Sequence, residues 1–370
     1  MKKISLILTV VFALAITFTG CKKDTNLTKA DIIPQNFKVD IPSSLTKNAA
    51  KADKDGVLDG NDIYGHLSNF IAIGDGSADI VQEIMRAIRK YDLDQAMTFS
   101  YQSDEDGRTK NVVIIENSEF EGTAWEYELT MTDADSETNA DGGKAMQVFW
   151  NNSPVKGISI LKPYNLNRDE QNDWSGENTM YRIDYSEVDA TYDATMKVYI
   201  SGLVLPDPTV GDNRFAMETM KMFVGKKGDI VDVFGNSNHP NASFFDENTV
   251  GFNWAFAAAG DESNDRAVAE VGLPPSNLDE TSRTVLLDDF SIYNVFHNEL
   301  IDLGYQEADI QDYLVNTQAP GYFNNDGFVS AGQAPSSAYD AAEASMNHLT
   351  PYNPILISNL IIHFKSDDAS

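Results

Sequence analysis

AWEYELTMT, residues 124–132, decides the class of fold. On an extended chain Trp125, Tyr127, Leu129 and Met131 fall on one side, and Glu126, Glu128 and Thr130 on the other. That period of two is the pattern of an antiparallel strand with one face on a core and one in water. The pattern recurs on both sides of it: NVVIIE from Asn111, MQVFW from Met146, GISIL from Gly157, MYRIDY from Met180, TMKVYISGL from Thr195, FAMETMKMFV from Phe215, IVDVF from Ile230 and GFNWAFAA from Gly251. Acidic, turn-rich segments such as SDEDGRT and TDADSETNADGG lie between the runs, as expected of hairpin connections.

Outward from this block the period changes. Ile80, Val81, Ile84, Met85 and Ile88 recur with helical spacing, which predicts an amphipathic helix from Ser77, a good N-cap, to about Tyr91, after a weaker apolar patch at Leu67 to Ile73. Beyond Leu273-Pro274-Pro275, DDFSIYNVFHNELIDLG and QEADIQDYLVN read as helices, the first capped by Asp288 or Asp289 and stopped at Gly304. AYDAAEASMNHL reads as a further short helix, and the β-branched run PILISNLIIHF as a strand returning to the sheet. The expected fold is α+β: a mainly antiparallel β-sheet, curved into a sandwich or open barrel, with an N-terminal amphipathic helix and a C-terminal helical segment. The expected divisions are a leader at 1–20, a polar tether or loosely docked arm at 21–60, the β domain at 61–275 and the helical segment with its returning strand at 276–370.

Met1-Lys2-Lys3 is followed by an apolar run from Ile4 to Ile16, which is secretory signal architecture and too short to span a membrane. The run ends in Phe18-Thr19-Gly20-Cys21, and Cys21 is the one cysteine of the chain. This stretch resembles the lipobox of bacterial lipoproteins. The resemblance implies that Cys21 becomes the first residue of the mature protein and carries lipid on its sulfur and its amine, anchoring the chain to the membrane. Lys22-Lys23-Asp24 follows, so the residue after Cys21 is not the aspartate that retains enterobacterial lipoproteins at the inner membrane; the expected address is the outer membrane. A Lys-rich and then acidic start is also similar to the tether of surface lipoproteins in the Bacteroidota, which implies a periplasmic or extracellular face.

The net charge is −30, and loss of residues 1–20 removes two lysines and no acid. Such a surface repels phosphate backbones, which argues against a nucleic-acid partner. Hydrophobic residues make up 42% of the chain, enough to build a core despite the charge. With a single cysteine no disulfide can form within the chain.

KADKDGVLDGNDI, residues 51–63, has the alternating acids and central glycine of a calcium loop, with Asp53 and Asp55 at ligand positions and Asp62 as the closing acid. Lys51 stands where the first ligand belongs, and a lysine offers no lone pair. Read blandly, the segment is an acidic turn. YFNNDGFVS repeats the theme with Asn324, Asp326 and Gly327. Glu126 and Glu128 stand about 7 Å apart by the strand rise, within the range of glycosidase acid pairs, yet the same spacing describes a solvated strand face. Arg182 and Asp184 alternate in the same way.

His66, His239, His297, His348 and His363 are isolated from one another, and no His-x-x-x-His pair, Gly-x-Ser-x-Gly elbow or phosphate-binding glycine loop occurs. Trp125, Tyr127, Trp150 and Trp254 lie in strand alternation and read as core. Trp174 lies in the polar loop NRDEQNDWSGEN, where an aromatic has little to bury against, and is a candidate ligand contact. The helix-then-meander order over residues 77–235 is similar to that of periplasmic lipoprotein carriers, which implies a half-open barrel and a lipid or other hydrophobic ligand. The expected function is an envelope protein that binds a glycan, a lipid or a protein partner; the alternative is a glycosidase-like hydrolase using paired carboxylates.

Overall fold

A computed structural model describes residues 34–47, 57–89, 96–168, 176–242 and 250–366. Its strands are β1 Leu58–Asp59, β2 Met97–Gln102, β3 Thr109–Phe120, β4 Thr123–Asp133, β5 Lys144–Asn152, β6 Val155–Leu161, β7 Met180–Ser186, β8 Ala194–Ser201, β9 Thr219–Lys227, β10 Ile230–His239, β11 Phe252–Asp261, β12 Arg266–Gly272, β13 Leu314–Val315, β14 Gly321–Asn324 and β15 Gly327–Ala331. Its helices are α1 Ser43–Thr46, α2 Gly60–Arg89, α3 Pro163–Leu166, α4 Ile292–Asp302, α5 Glu307–Tyr313, α6 Asp340–Met346 and α7 Pro354–Ser358, with a π-helical turn at Thr284–Asp289.

Among the described residues thirteen strands form one antiparallel sheet, ordered β2 to β12 and then β14 and β15. The fold is α+β, as the sequence pattern predicts. β3 to β11 are the alternating runs of the sequence. β3 turns into β4 through Glu121 and Gly122, both at left-handed φ (+50° and +72°), the twist that two-residue hairpins favour. β1 and β13 form a separate parallel pair.

Helix α2 begins at Gly60, well before the predicted start at Ser77. Ser77 is interior to the helix, and its hydroxyl donates to the Ile73 carbonyl at 2.9 Å, the back-bond open to a mid-helix serine. Glycines and serines between 60 and 77 lower the local helix propensity, but Ile63, Leu67, Ile71, Ala78, Val81 and Met85 form one buried stripe, and burial of that stripe sustains the helix. The stripe meets the inward faces of β3 to β12 in one core rich in methionine: Met131, Met146, Met196, Met220 and Met222 are all in it.

The described part of the 21–60 segment is packed against this layer. Phe37 is fully buried and stacks on Tyr185 with ring centres 5.8 Å apart. Gly157 leaves room for it: a Cβ there would lie 2.3 Å from Phe37 Cζ. Gln82 of α2 accepts from Phe37 N (2.6 Å) and donates to Gln35 O (2.8 Å), and Lys38 pairs with Asp75 and Asp79 of the same helix.

The C-terminal segment covers part of the outward face. α6 and the π-turn lie over β10 to β12, around Leu286, Leu287, Tyr339, Ala342 and Met346. α4 is capped by Ser291, whose Oγ accepts from Asn294 N, in place of the expected Asp288 or Asp289, and its chain turns away at Gly304 (φ +87°). The run 354–364 returns to the sheet without pairing as a strand. Asn353 caps α7 and Pro354 fits its first turn, so the run starts as a helix; Ile362 then packs on Phe149, Ile158 and Ile160.

Candidate functional site

Cys21, Asp53, Asp55 and Trp174 lie outside the described residues. Asp62, the expected closing acid of the first calcium loop, belongs to the opening turn of α2. The second candidate loop is the β14–β15 hairpin: Asn324 Oδ1 accepts from Asp326 N at 2.8 Å, and Gly327 adopts φ +104°, so these polar residues make a turn. Among the described residues no three of His, Cys, Asp and Glu converge as a metal ion would require.

The two glutamates of β4 have different surroundings. Glu126 is exposed, and its carboxylate accepts from Asn152 N at 2.9 Å. Glu128 is buried beneath the C-terminal tail, where it takes hydrogen bonds from Ser118 and from Lys365 Nζ (2.8 Å). Of the expected core aromatics, Trp150 and Trp254 lie in the inner core with Tyr127 packed against it. Trp125 instead joins the outer cluster with Phe120 and Phe149. It pairs in register with Ser118 of β3, the residue after Asn117, which adopts φ +60°.

His297 meets Glu307 at 2.9 Å on the surface. His239 is fully buried: its Nε2 meets Ser237 Oγ at 2.8 Å and its Nδ1 meets Phe215 O at 2.9 Å. A carbonyl accepts only, so Nδ1 carries the proton and Nε2 accepts from the serine. Burial holds this imidazole neutral, with a pKa of about 4. Ser237 is fully buried as well, which makes the pair an internal tie between β10 and the segment before β9.

One part of the outward face is left between the two covering groups of residues, on β7 to β10. The ladder aligns Arg182 with Tyr199, Tyr199 with Lys221 and Lys221 with Asn236; one step along, it aligns Asp184, Lys197, Phe223 and Phe234. Tyr352, from the segment between α6 and α7, closes one side with its ring 5.4 Å from that of Phe234. Ile362 and Thr219, the latter bonded to Ile357 O at 2.8 Å, mark where the C-terminal segment frames the patch.

The cations of this patch are held differently. The Arg182 guanidinium reaches both oxygens of Glu121 (2.7 and 2.9 Å) and Asp184 (2.7 Å) and lies 5.5 Å above the Tyr199 ring, so two carboxylates answer its charge. Lys221 is half-buried, with Nζ 4.0 Å from the centre of the Tyr352 ring and 5.2 Å from that of Tyr199. Among the described residues no carboxylate lies within ion-pair distance of it. Burial lowers the pKa of Lys221, helped by the like charge of Lys197 and opposed by Asp184. Burial also raises Asp184, against the pull of Arg182, and holds the Tyr199 and Tyr352 phenols well above their usual value.

Asn236 lies beside Lys221 in register and is fully buried. Its Oδ1 accepts from Tyr352 N at 2.7 Å, which fixes the amide's orientation, and its Nδ2 has no hydrogen-bond partner. A buried orphan donor is uncommon, because it forfeits its bond to water without replacement. The patch thus offers a half-buried cation held between two tyrosine rings.

Alternation alone assigns Lys197, Tyr199 and Lys221 to a solvated face and says no more. A signal was present: bases are outnumbered by acids 27 to 57, and two lysines face outward on adjacent predicted strands. Tyr352 is remote in sequence and carried none. No family model matches this chain, and no curated protein or solved structure matches it.

Proposed function

We propose that this is a lipid-anchored envelope protein, held at the outer membrane through Cys21, that binds an envelope glycan on the outward face of β7 to β10. The observation that carries the binding face is Lys221, half-buried between Tyr199 and Tyr352 with no carboxylate partner among the described residues. Aromatic faces bind the C–H surfaces of sugars, and an unanswered cation beside them selects polar ligands over acyl chains. The inward face, where a carrier of the half-open-barrel type would hold lipid, is filled by this chain's own Phe37, Leu67, Ile71 and Met85. The sheet is read as an open barrel around α2, because that one helix touches β7 and β8 in the middle of the sheet and β15 at its edge. Binding is preferred to acid–base hydrolysis because Glu128 is engaged by Lys365 and Ser118, away from any cleft shared with Glu126.

Two experiments test this reading. Cys21→Ser should move the protein from the membrane fraction to the soluble fraction in its native host; unchanged membrane association refutes the anchor. Native mass spectrometry of protein recovered gently from that host should show added oligosaccharide mass that is absent from a Tyr199→Ala/Tyr352→Ala variant. A bound mass that survives in the variant would place the ligand elsewhere.

A further inference from the structure

Resting on that reading, we infer that the β7–β10 patch is a subsite for a uronic-acid residue of an acidic glycan, with Lys221 meeting the carboxylate and Tyr199 and Tyr352 meeting the ring. The charge count sets the ligand class. Arg182, Lys197 and Lys221 stand against Glu121 and Asp184, a net charge of +1 on the patch, and Lys221 is the half-buried cation without an ionic partner among the described residues. That net charge matches one carboxylate. A phosphate monoester would bring about two negative charges to the patch, more than that net charge answers.

Geometry adds two further points. The Tyr352 and Tyr199 rings flank Nζ at 4.0 and 5.2 Å, so a group bonded to Lys221 lies between aromatic surfaces, which suits a carboxylate carried directly on a ring with apolar C–H faces. Asn236, next to Lys221 across the β9–β10 ladder, is fully buried and holds the Tyr352 backbone N at 2.7 Å, which fixes Tyr352 beside the ammonium. A neutral sugar or an acyl chain would leave Lys221 unanswered.

The test is isothermal titration of the full-length protein in detergent with trigalacturonate, and with maltotriose as a neutral ring of the same length. Trigalacturonate should bind and maltotriose should not. Lys221→Gln should weaken trigalacturonate by about tenfold or more, the loss expected for a hydrogen bond to a charged group, while Lys221→Arg retains binding. Equal binding of maltotriose, or full affinity in a folded Lys221→Gln variant, overturns the uronate assignment and leaves the glycan-binding face standing. Benzoate displacing trigalacturonate at equal concentration also overturns it, because a flat carboxylate would then suffice. If neither sugar binds, the uronate assignment falls, and the fate of the binding face is read separately from the mass of the Tyr199→Ala/Tyr352→Ala variant.

Discussion

Lys110 and Lys221 both project from strands of the same sheet, and their surroundings are opposite. Lys110, on β3, is 1% exposed and uses all three ammonium protons: on Asp106 (2.9 Å), Asp133 (3.0 Å) and the Asn165 carbonyl of α3 (3.1 Å). Arg108 forks onto the same Asp133 at 2.6 and 2.7 Å, and its NH2 reaches Ser136 at 3.1 Å. Lys221 retains access to water and has aromatic faces where Lys110 has carboxylates. A buried charge with every valence answered is a fastener, here tying β3, β4, α3 and the 103–108 loop together. A half-buried charge with none answered is available to something outside the fold. The abundance of acids in the chain therefore says little about function; what distinguishes the two sites is how completely each cation is paired.

That contrast can be broken most directly at Lys110. Lys110→Met should cost about 3–5 kcal/mol in urea unfolding, because it strands the buried Asp106 without its cation and leaves Asp133 to Arg108 alone. A cost below about 1 kcal/mol would mean that the network is decorative and the contrast empty.

Acid titration sharpens it next, by separating this charged network from the neutral buried polar groups. His239 has a folded pKa of about 4 against about 6.5 unfolded, so the unfolded state takes up the proton first. Its contribution is fully present above pH 6.5 and is lost as pH falls from there toward 4, a loss of about 3 kcal/mol. Asp133 and Asp106 are held below the usual carboxylate range, chiefly by hydrogen bonds from Arg108 and Lys110 that outweigh their desolvation, so their contribution stays intact above about pH 4 and is lost only below it. Urea midpoints between pH 7 and 4.5 should therefore decline in the wild type and decline much less in a His239→Gln variant. Equal slopes in the two would refute the assignment of the neutral imidazole. The smallest effect belongs to Lys221: Lys221→Met should change stability by less than about 0.5 kcal/mol in the same unfolding assay. A loss comparable to that of Lys110→Met would make Lys221 a fastener as well.

Legibility differed from element to element for physical reasons. β3 to β11 announce themselves because they alternate between apolar and polar residues or, as in β11, run apolar and aromatic between turn signals. β12, RAVAEVG, does not: both of its faces are covered, Ala267 and Ala269 by the inner core and Val268 by the outer cluster, and its Ala and Glu are residues that strands usually disfavour. β14 and β15 were hidden behind Asn324 and Asp326, which imitate ligands while making a turn. The first half of α2 was obscured by its glycines. The glutamate pair at 126 and 128 was ambiguous for another reason: alternation puts both on one strand face, and only the tail that supplies Lys365 buries Glu128 in a salt bridge.

The sequence by itself determined the antiparallel sheet, the helical C-terminal segment and the cysteine at which an anchor is expected, because each of these depends on residues close together in the chain; the strongly acidic net charge follows from composition alone. The tertiary structure alone decided which cations are paired and which are open. Lys110 meets Asn165 and Lys221 meets Tyr352 only after the sheet is in register and the C-terminal segment has crossed its outward face. Strand periodicity tells which face a side chain takes, but the partner waiting on that face is set by neighbours far away along the chain.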